Sequence, residues 1–300
     1  MDNIMAYKSK LTYEEVAPAI QKLSTVRYSV IKGEALSITA YNKVGNRISS
    51  DLDVLMSRKN LHIFERELLE LGFEKQHAEN IIEQRTSRVL MLSGSHQISP
   101  YYLRKAPFTL SIDLNFDIFW GEYMGKRVDI DDFLSDTIDM EIYGVKVKAL
   151  PPLKTMVQLI LHHYKDMNSI FLLSTRKSIK YNMFKDIYYL LKNNRNSITL
   201  DKLYAISSKY EIIPYVYYIL YHTGLLFEDC LLKEYVLAFK TLEGETLIDC
   251  YGLNELERHH WKCDFKTRLE SQNLYELIKN DLTEKDIEKI SINKKVFFSE

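Results

Sequence analysis

The chain of 300 residues has almost no excess charge: 40 Lys and Arg stand against 41 Asp and Glu, a net charge of -1. That balance argues against a protein that grips nucleic acid through a general positive field, and leaves only a local basic patch open. Cysteine is scarce, with Cys230, Cys250 and Cys263 alone and no CxxC pair. A disulfide framework is not expected, and reduced thiols in a cytoplasm are. The opening MDNIMAYKSK lacks the basic and then apolar stretch of a secretory signal. No long apolar run occurs either. Residues 212–227 come nearest, but tyrosines, His222 and Thr223 interrupt them, so a buried helix is expected there and no membrane span. Repeats and low-complexity tracts are absent.

What the chain does have is a globular share of apolar residues, 46%, and a length that calls for two domains. Its 21 tyrosines fit cores capped by a polar tip, with some left for a pocket. Up to about residue 149 the pattern is mixed. Helix is expected over residues 11–24, where Val16, Ile20 and Leu23 form one stripe, and again after Asn60 as N-cap, ending at Gly72. Strands are expected over 28–32, 51–56, 86–93 and 108–119, with a further pair over 140–147 turning at Gly144. In FTLSIDLNFDIF the apolar residues from Phe108 to Ile118 alternate with Thr109, Ser111, Asp113, Asn115 and Asp117. After Pro151-Pro152 the pattern turns helical, over 153–165, 183–192, 200–208, 215–223, 273–280 and 284–290. The expected fold is α+β, a mixed sheet with flanking helices over residues 1–150, then an all-helical domain over 151–300.

The chemistry gathers in YSVIKGEALSITAYNKVGNRISSDLDVL, residues 28–55. A strand ends in Lys32-Gly33, a short helix and a loop follow, and Asp51-Leu52-Asp53 opens the next strand. Alternate strand residues share a face, so Asp51 and Asp53 project together, their Cα atoms about 6.6 Å apart. Two carboxylates so spaced can converge on divalent cations roughly 3.5–4 Å apart, as phosphoryl and nucleotidyl transfer require. Asp113, on a neighbouring strand, adds a third acid, with Asp117 on the same face as its rival. Such a set suits Mg²⁺, with Mn²⁺ as a substitute. Gly33 lets the backbone approach a triphosphate, and Lys32 or Arg47 can offset its charge.

These residues also resemble a family. Strand, glycine turn, helix, loop, D-x-D strand and a later acid are similar to the core of the DNA polymerase beta-like nucleotidyltransferase superfamily. More narrowly, IKGEAL, then GNRISSDLDVL, with LGF after the next helix, resembles a bacterial, largely uncharacterised nucleotidyltransferase-like family. In that family a D-L-H triplet supplies the third acid; here Asp113-Leu114-Asn115 matches it, with Asn115 in place of the histidine. LILHHYKD and CYGLNELERHHW downstream fit the same resemblance. It implies Asp51, Asp53 and Asp113 as metal-binding and catalytic acids, and Lys32, Gly33, Ser37, Arg47 and Ser50 as residues around the nucleotide. An NTP is the implied partner; a small-molecule or protein acceptor is favoured over RNA. The turn departs from the family: Glu34 follows Gly33 where the superfamily has Ser or Gly, and a carboxylate there repels phosphate unless it points away or meets a cation. A toxin-like enzyme acting on tRNA, or a non-catalytic nucleotide- or partner-binding module, are the other readings.

Other candidates have ordinary explanations. His162-His163 read as a core-edge and an exposed position. His259-His260 with Cys263 lack the second half of a zinc site. Lys185-Asp186 in FKDIYYLL resembles the K-D-x-x-x-L helix of abortive-infection-type nucleotidyltransferase toxins, with a helix-surface pair as the ordinary reading. The run from Arg176 to Lys180 reads as a solvated loop, and Trp261 as packing.

Overall fold

The alternation in Phe108–Asn115 becomes one of the central strands of a computed structural model, which describes residues 2–47, 49–75, 88–92, 94–120, 128–175 and 177–298. Seven strands form one sheet: β1 (Tyr28–Ile31), β2 (Leu52–Met56), β3 (Glu74–Lys75), β4 (Tyr101–Lys105), β5 (Phe108–Asn115), β6 (Ile138–Ile142) and β7 (Val145–Ala149). Their order is β3-β4-β5-β2-β1-β7-β6. β2 lies parallel to β5 and β1 parallel to β7, while the other neighbours are antiparallel. The fold is therefore α+β with a mixed sheet.

Helix α1 (Asp2–Lys22) precedes β1 and helix α3 (Leu61–Glu70) follows β2, with α2 (Gly33–Tyr41) between β1 and β2. Leu52, Val54 and Met56 of β2 share a buried core with Leu110, Ile112 and Leu114 of β5, and Val16, Ile20, Phe64 and Leu68 of the helices belong to it too. Each such side chain contributes about 1.5–3 kcal/mol by leaving water. Because strand side chains alternate, burying these residues on one face turns Asp53 and Asp113 to the other.

Several expectations change. α1 begins well ahead of the apolar stripe read from residue 11, with Ile4 and Tyr7 exposed on its first turns. Asn60 does stand at the N-cap position of α3, but it also ends a 3-10 turn over Arg58–Asn60, in right-handed helical conformation, and its side chain bonds no helix N–H. Residues 88–92 are helical rather than a strand; Thr86, Ser87 and Ser93 lie outside the described residues. Arg88 grips Glu65 of α3 through two hydrogen bonds of 2.7 Å, and that long-range pair outweighs the strand-like run RVLML. The strand expected to reach Phe119 stops at Asn115, because Phe116 and Asp117 both turn their N–H groups to the carbonyl of His96, at 2.8 and 3.3 Å. The β6–β7 hairpin does turn at Gly144: Tyr143 and Gly144 both take positive φ, 53° and 81°, the twist that a two-residue hairpin needs.

Among the described residues the chain divides into two compact units, one up to Thr155 and the other from Met156 onward. The first unit also holds α4 (Ile130–Phe133), whose N–H groups at Asp131 and Asp132 are capped by Asp129. Then come α5 (Pro152–Asn168), α6 (Ile170–Ser174), α7 (Tyr181–Asn193), α8 (Leu200–Lys209), α9 (Ile213–Gly224), α10 (Cys230–Ala238), α11 (Leu242–Leu247), α12 (Phe265–Glu270), α13 (Tyr275–Ile278) and α14 (Glu284–Phe298). A two-stranded ladder, β8 (Cys250–Tyr251) with β9 (His259–His260), interrupts the helices. α9 is the apolar run of the sequence, buried along almost its whole length. Its His222 stays neutral, since burial and then the charge of Arg268 push its pKa down to about 3. Among the described residues no helix is long and apolar enough to cross a membrane.

Candidate active site

β2 sits between β1 and β5, and this neighbourhood assembles the acids. Ile31 at the end of β1 is the register partner of Asp53, so Lys32 leaves the sheet beside that carboxylate. On the other side Asp113 of β5 is the register partner of the same Asp53. Adjacent strands lie roughly 5 Å apart and opposed residues share a face, so the two acids stand side by side. Asp53 is buried and Asp113 half-buried. Lys32 Nζ donates to Asp53 Oδ1 at 2.9 Å, and Asn115 Nδ2 donates to the same oxygen at 3.1 Å. Asp51 stands one residue ahead of β2, half-buried, and takes a hydrogen bond of 2.5 Å from Ser49 Oγ and a longer one of 3.4 Å from Ser50 Oγ. Asp117 lies past the strand, where it accepts the N–H of Phe119 at 3.0 Å. The β2–β5 register thus brings Asp113 to Asp53, while Asp117 caps a turn.

The glycine turn is tightly built. Lys32 has φ 57° and ψ −151°, a region almost reserved for glycine, and its carbonyl accepts the first helical N–H of α2 from Leu36 at 2.9 Å. Gly33 follows at φ 39°, where a Cβ would stand 3.1 Å from that of Ser49. Gly33→Ala is expected to cost about 1–2 kcal/mol from the left-handed backbone and to push Ser49 off Asp51, which denaturant unfolding and NTP titration would register. Ser37 is buried inside α2; its hydroxyl donates to the carbonyl of Lys43 at 2.6 Å and accepts the N–H of Arg47 at 3.0 Å. The structure therefore gives Ser37 the work of latching the loop that carries Arg47.

Glu34 turns away from this loop. It is buried, and the Ser9 hydroxyl of α1 donates to its carboxylate. Burial pushes its pKa up, and the bond from Ser9 and the charge of Arg47 pull the other way. Of the two escapes open to an acid at this turn, Glu34 takes the first and points into the core.

Two neighbours take parts at this site that the sequence did not assign them. Asn115 stands on the acid face, two residues past Asp113, and uses its amide to hold Asp53; alternation alone put it there, but its role needed the β2–β5 pairing. Tyr102 of β4 is the register partner of Ser111, hence on the face of Asp113. Its phenol pKa is raised by burial, then by the charges of Asp113 and Asp51. Nothing in YYLRK marked it.

Oxygen donors alone suit a hard divalent ion, and the Lys32 ammonium already stands on the most buried acid, where positive charge is needed. By donor chemistry and by this stand-in charge, the residues fit a divalent cation. Among the described residues, no three His, Cys, Asp or Glu side chains close on one point as a metal site. The same holds for the possible zinc cluster. His259 instead pairs with Asp286 at 3.0 Å, Cys250 Sγ lies 3.5 Å from His260 Nδ1, and Trp261 packs on Tyr251. In α5, His162 lies 3.5 Å from Asp166, which Lys165 and Lys177 also approach at 3.9 and 3.7 Å; His163 is buried. Asp186 is buried rather than on a helix surface, and Lys185 lies over the ring of Tyr189. Arg176 lies outside the described residues.

Comparison with known proteins bears on the whole arrangement. A family model described as an uncharacterised nucleotidyltransferase matches residues 5–228, well over half of the chain. Among solved structures, an antigenic nucleotidyltransferase-like protein from Paracoccidioides brasiliensis is similar at 19% identity and a TM-score of 0.38, over 66% of this chain and 88% of that one; a likeness so slight carries no argument here. No curated protein matches. The family match spans β1, the glycine turn, Asp51, Asp53 and Asp113, and on its extent the chain belongs to the uncharacterised nucleotidyltransferase family.

Proposed function

We propose that the protein moves a nucleoside monophosphate from an NTP to a hydroxyl of an acceptor, with Mg²⁺, or Mn²⁺ in its place, as the required cation. The observation that carries this reading is the pairing of Asp53 with Asp113 across β2 and β5, next to the Lys32-Gly33 turn. Asp51, Asp53 and Asp113 would hold the cation, which supplies charge neutralisation at the α-phosphate and acidifies the acceptor hydroxyl. Asp113 is also the base that takes the acceptor proton, being the less buried of the paired acids. The N-terminal turn of α2, opened by Gly33, lets backbone amides approach the triphosphate. Lys32 and Arg47 balance its charge, Ser37 keeps the Arg47 loop in shape, and Ser49 and Ser50 orient Asp51.

The helical unit, taken to begin at the proline pair near residue 151, binds the acceptor in this reading. Near-neutral net charge favours a small molecule or a protein over RNA. Free cysteines and the need for NTP fit a cytoplasmic setting. Burial of Glu34 against Ser9 takes away the main reason to read the protein as a non-catalytic module. Incubated with labelled NTPs, Mg²⁺ and a cell extract, the protein should release pyrophosphate and label one fraction, while Asp51→Asn should do neither. Unchanged turnover in that variant would sink the assignment, and binding of NTP without pyrophosphate release would favour the module.

A further inference from the structure

The pair between Lys32 and Asp53 combines three features that one role explains. Its members are nearly enclosed, with side chains 14% and 5% exposed. Its lysine holds a backbone conformation that side-chain residues avoid, φ 57° and ψ −151°. Its carboxylate stands directly opposite a second acid, Asp113, and like charges opposed across strands repel. A carboxylate so enclosed requires a counter-charge whether or not an ion is bound. An ammonium on a flexible four-carbon stem suits that task, because it makes one point contact and can leave.

We propose that Lys32 is a resident counter-cation, which holds Asp53 while no divalent ion is bound and must be displaced for one to enter. The proposal rests on the nucleotidyl-transfer reading and deepens it: cation affinity is set by competition with Lys32. Once released, the ammonium is free to meet the triphosphate, so nucleotide draws Lys32 away and opens Asp53 to the ion. Cation and nucleotide then strengthen each other's binding, and by linkage the coupling is the same in both directions. A resting site blocked in this way also leaves Asp53 neutralised until a nucleotide arrives.

The test is Mn²⁺ titration of the nucleotide-free full-length protein, read by the electron paramagnetic resonance signal of free Mn²⁺, with thermal melts in chelator and in saturating Mn²⁺. Lys32→Met should bind Mn²⁺ about tenfold more tightly than wild type, as when the ion-competent state is populated to only about 10%. It should also melt lower in chelator and recover with Mn²⁺, whereas Lys32→Arg keeps wild-type behaviour. Equal or weaker binding by Lys32→Met overturns the proposal. The wild-type protein gives a second reading should Lys32→Met fail to fold. Acylation of Lys32 by an amine-reactive ester, quantified by peptide mass spectrometry, should rise severalfold with Mn²⁺, and unchanged or reduced labelling overturns the proposal. Mn²⁺ binding that is equal in wild type and Lys32→Met sinks this inference alone. Absence of Mn²⁺ binding in both, with and without ATP, sinks the nucleotidyl-transfer reading as well.

Discussion

Replacing Asp53 with asparagine should lower nucleotidyl transfer by about 10³-fold or more, equivalent to about 4 kcal/mol of transition-state stabilisation. The reason is position. Asp53 is the acid shared by three neighbours: Lys32 and Asn115 bond its Oδ1, and Asp113 is its partner in the sheet. An amide keeps the shape but offers neither the negative charge nor the second acceptor oxygen, so the cation of the proposed reaction would lose a ligand. Stability should fall as well, by about 2 kcal/mol, the usual worth of a hydrogen bond to a charged group. Lys32 is spared a larger penalty because its stem can carry the charge out to water. Steady-state pyrophosphate release beside a denaturant melt separates the two effects. Asp113→Asn should match the catalytic loss, while Asp117→Asn, which retains a carbonyl oxygen for the N–H of Phe119, should keep most activity. The opposite ranking would move the third acid to Asp117.

The second large effect is on the fold. Glu65 of α3 lies buried beneath a set of donors: Arg88 through two bonds of 2.7 Å, Tyr101 Oη at 2.6 Å and Lys75 at 2.9 Å. Burial raises its pKa, but the bonds from Arg88, Tyr101 and Lys75 outweigh it and hold the carboxyl from 4.5 down to about 2. At ~1.4 kcal/mol per pH unit, that difference is worth about 3 kcal/mol. Because the folded pKa lies below the unfolded one, this stability is fully present above about pH 4.5 and is lost as the pH falls toward 2. Glu65→Gln should therefore be about 3 kcal/mol less stable than wild type at pH 7, a fall of roughly 6–12 °C in Tm, and the gap should close on acidification. Calorimetry at pH 7, 4 and 3 would check both claims. A gap that persists undiminished at the lowest pH would mean that packing, not charge, is the cause.

The sequence carried the local parts of this architecture and missed those that depend on partners far along the chain. β5 was legible because its alternation runs through Phe108–Asn115 unbroken, and the turn at Lys32-Gly33 because a glycine follows an apolar strand. Asp113 followed from the same alternation. By contrast, the fate of Glu34 depends on Ser9, on another helix, and no pattern around residue 34 encodes that. Residues 88–92 read as a strand in sequence because a short apolar run looks alike in either state; in the helix, Arg88 bonds Glu65. Tyr102 and Asn115 joined the site through strand register, which alternation cannot supply. In the helical unit, short helices such as Ile170–Ser174 and Leu242–Leu247 are too brief to show a period. They begin instead at capping side chains, Ser169 and Thr241.

The parallel pairing of β2 with β5 has a consequence for how the protein comes into being. Two parallel neighbours cannot be joined by a tight turn, and here the path between them runs through α3, β3 and β4 before returning. A ribosome-bound chain that has emerged only as far as β4 carries Asp51, Asp53 and Lys32, yet the strand that bears Asp113 is still unmade. The nascent protein thus travels through synthesis with two of its three acids in place, and the proposed site is complete only when β5 pairs with β2.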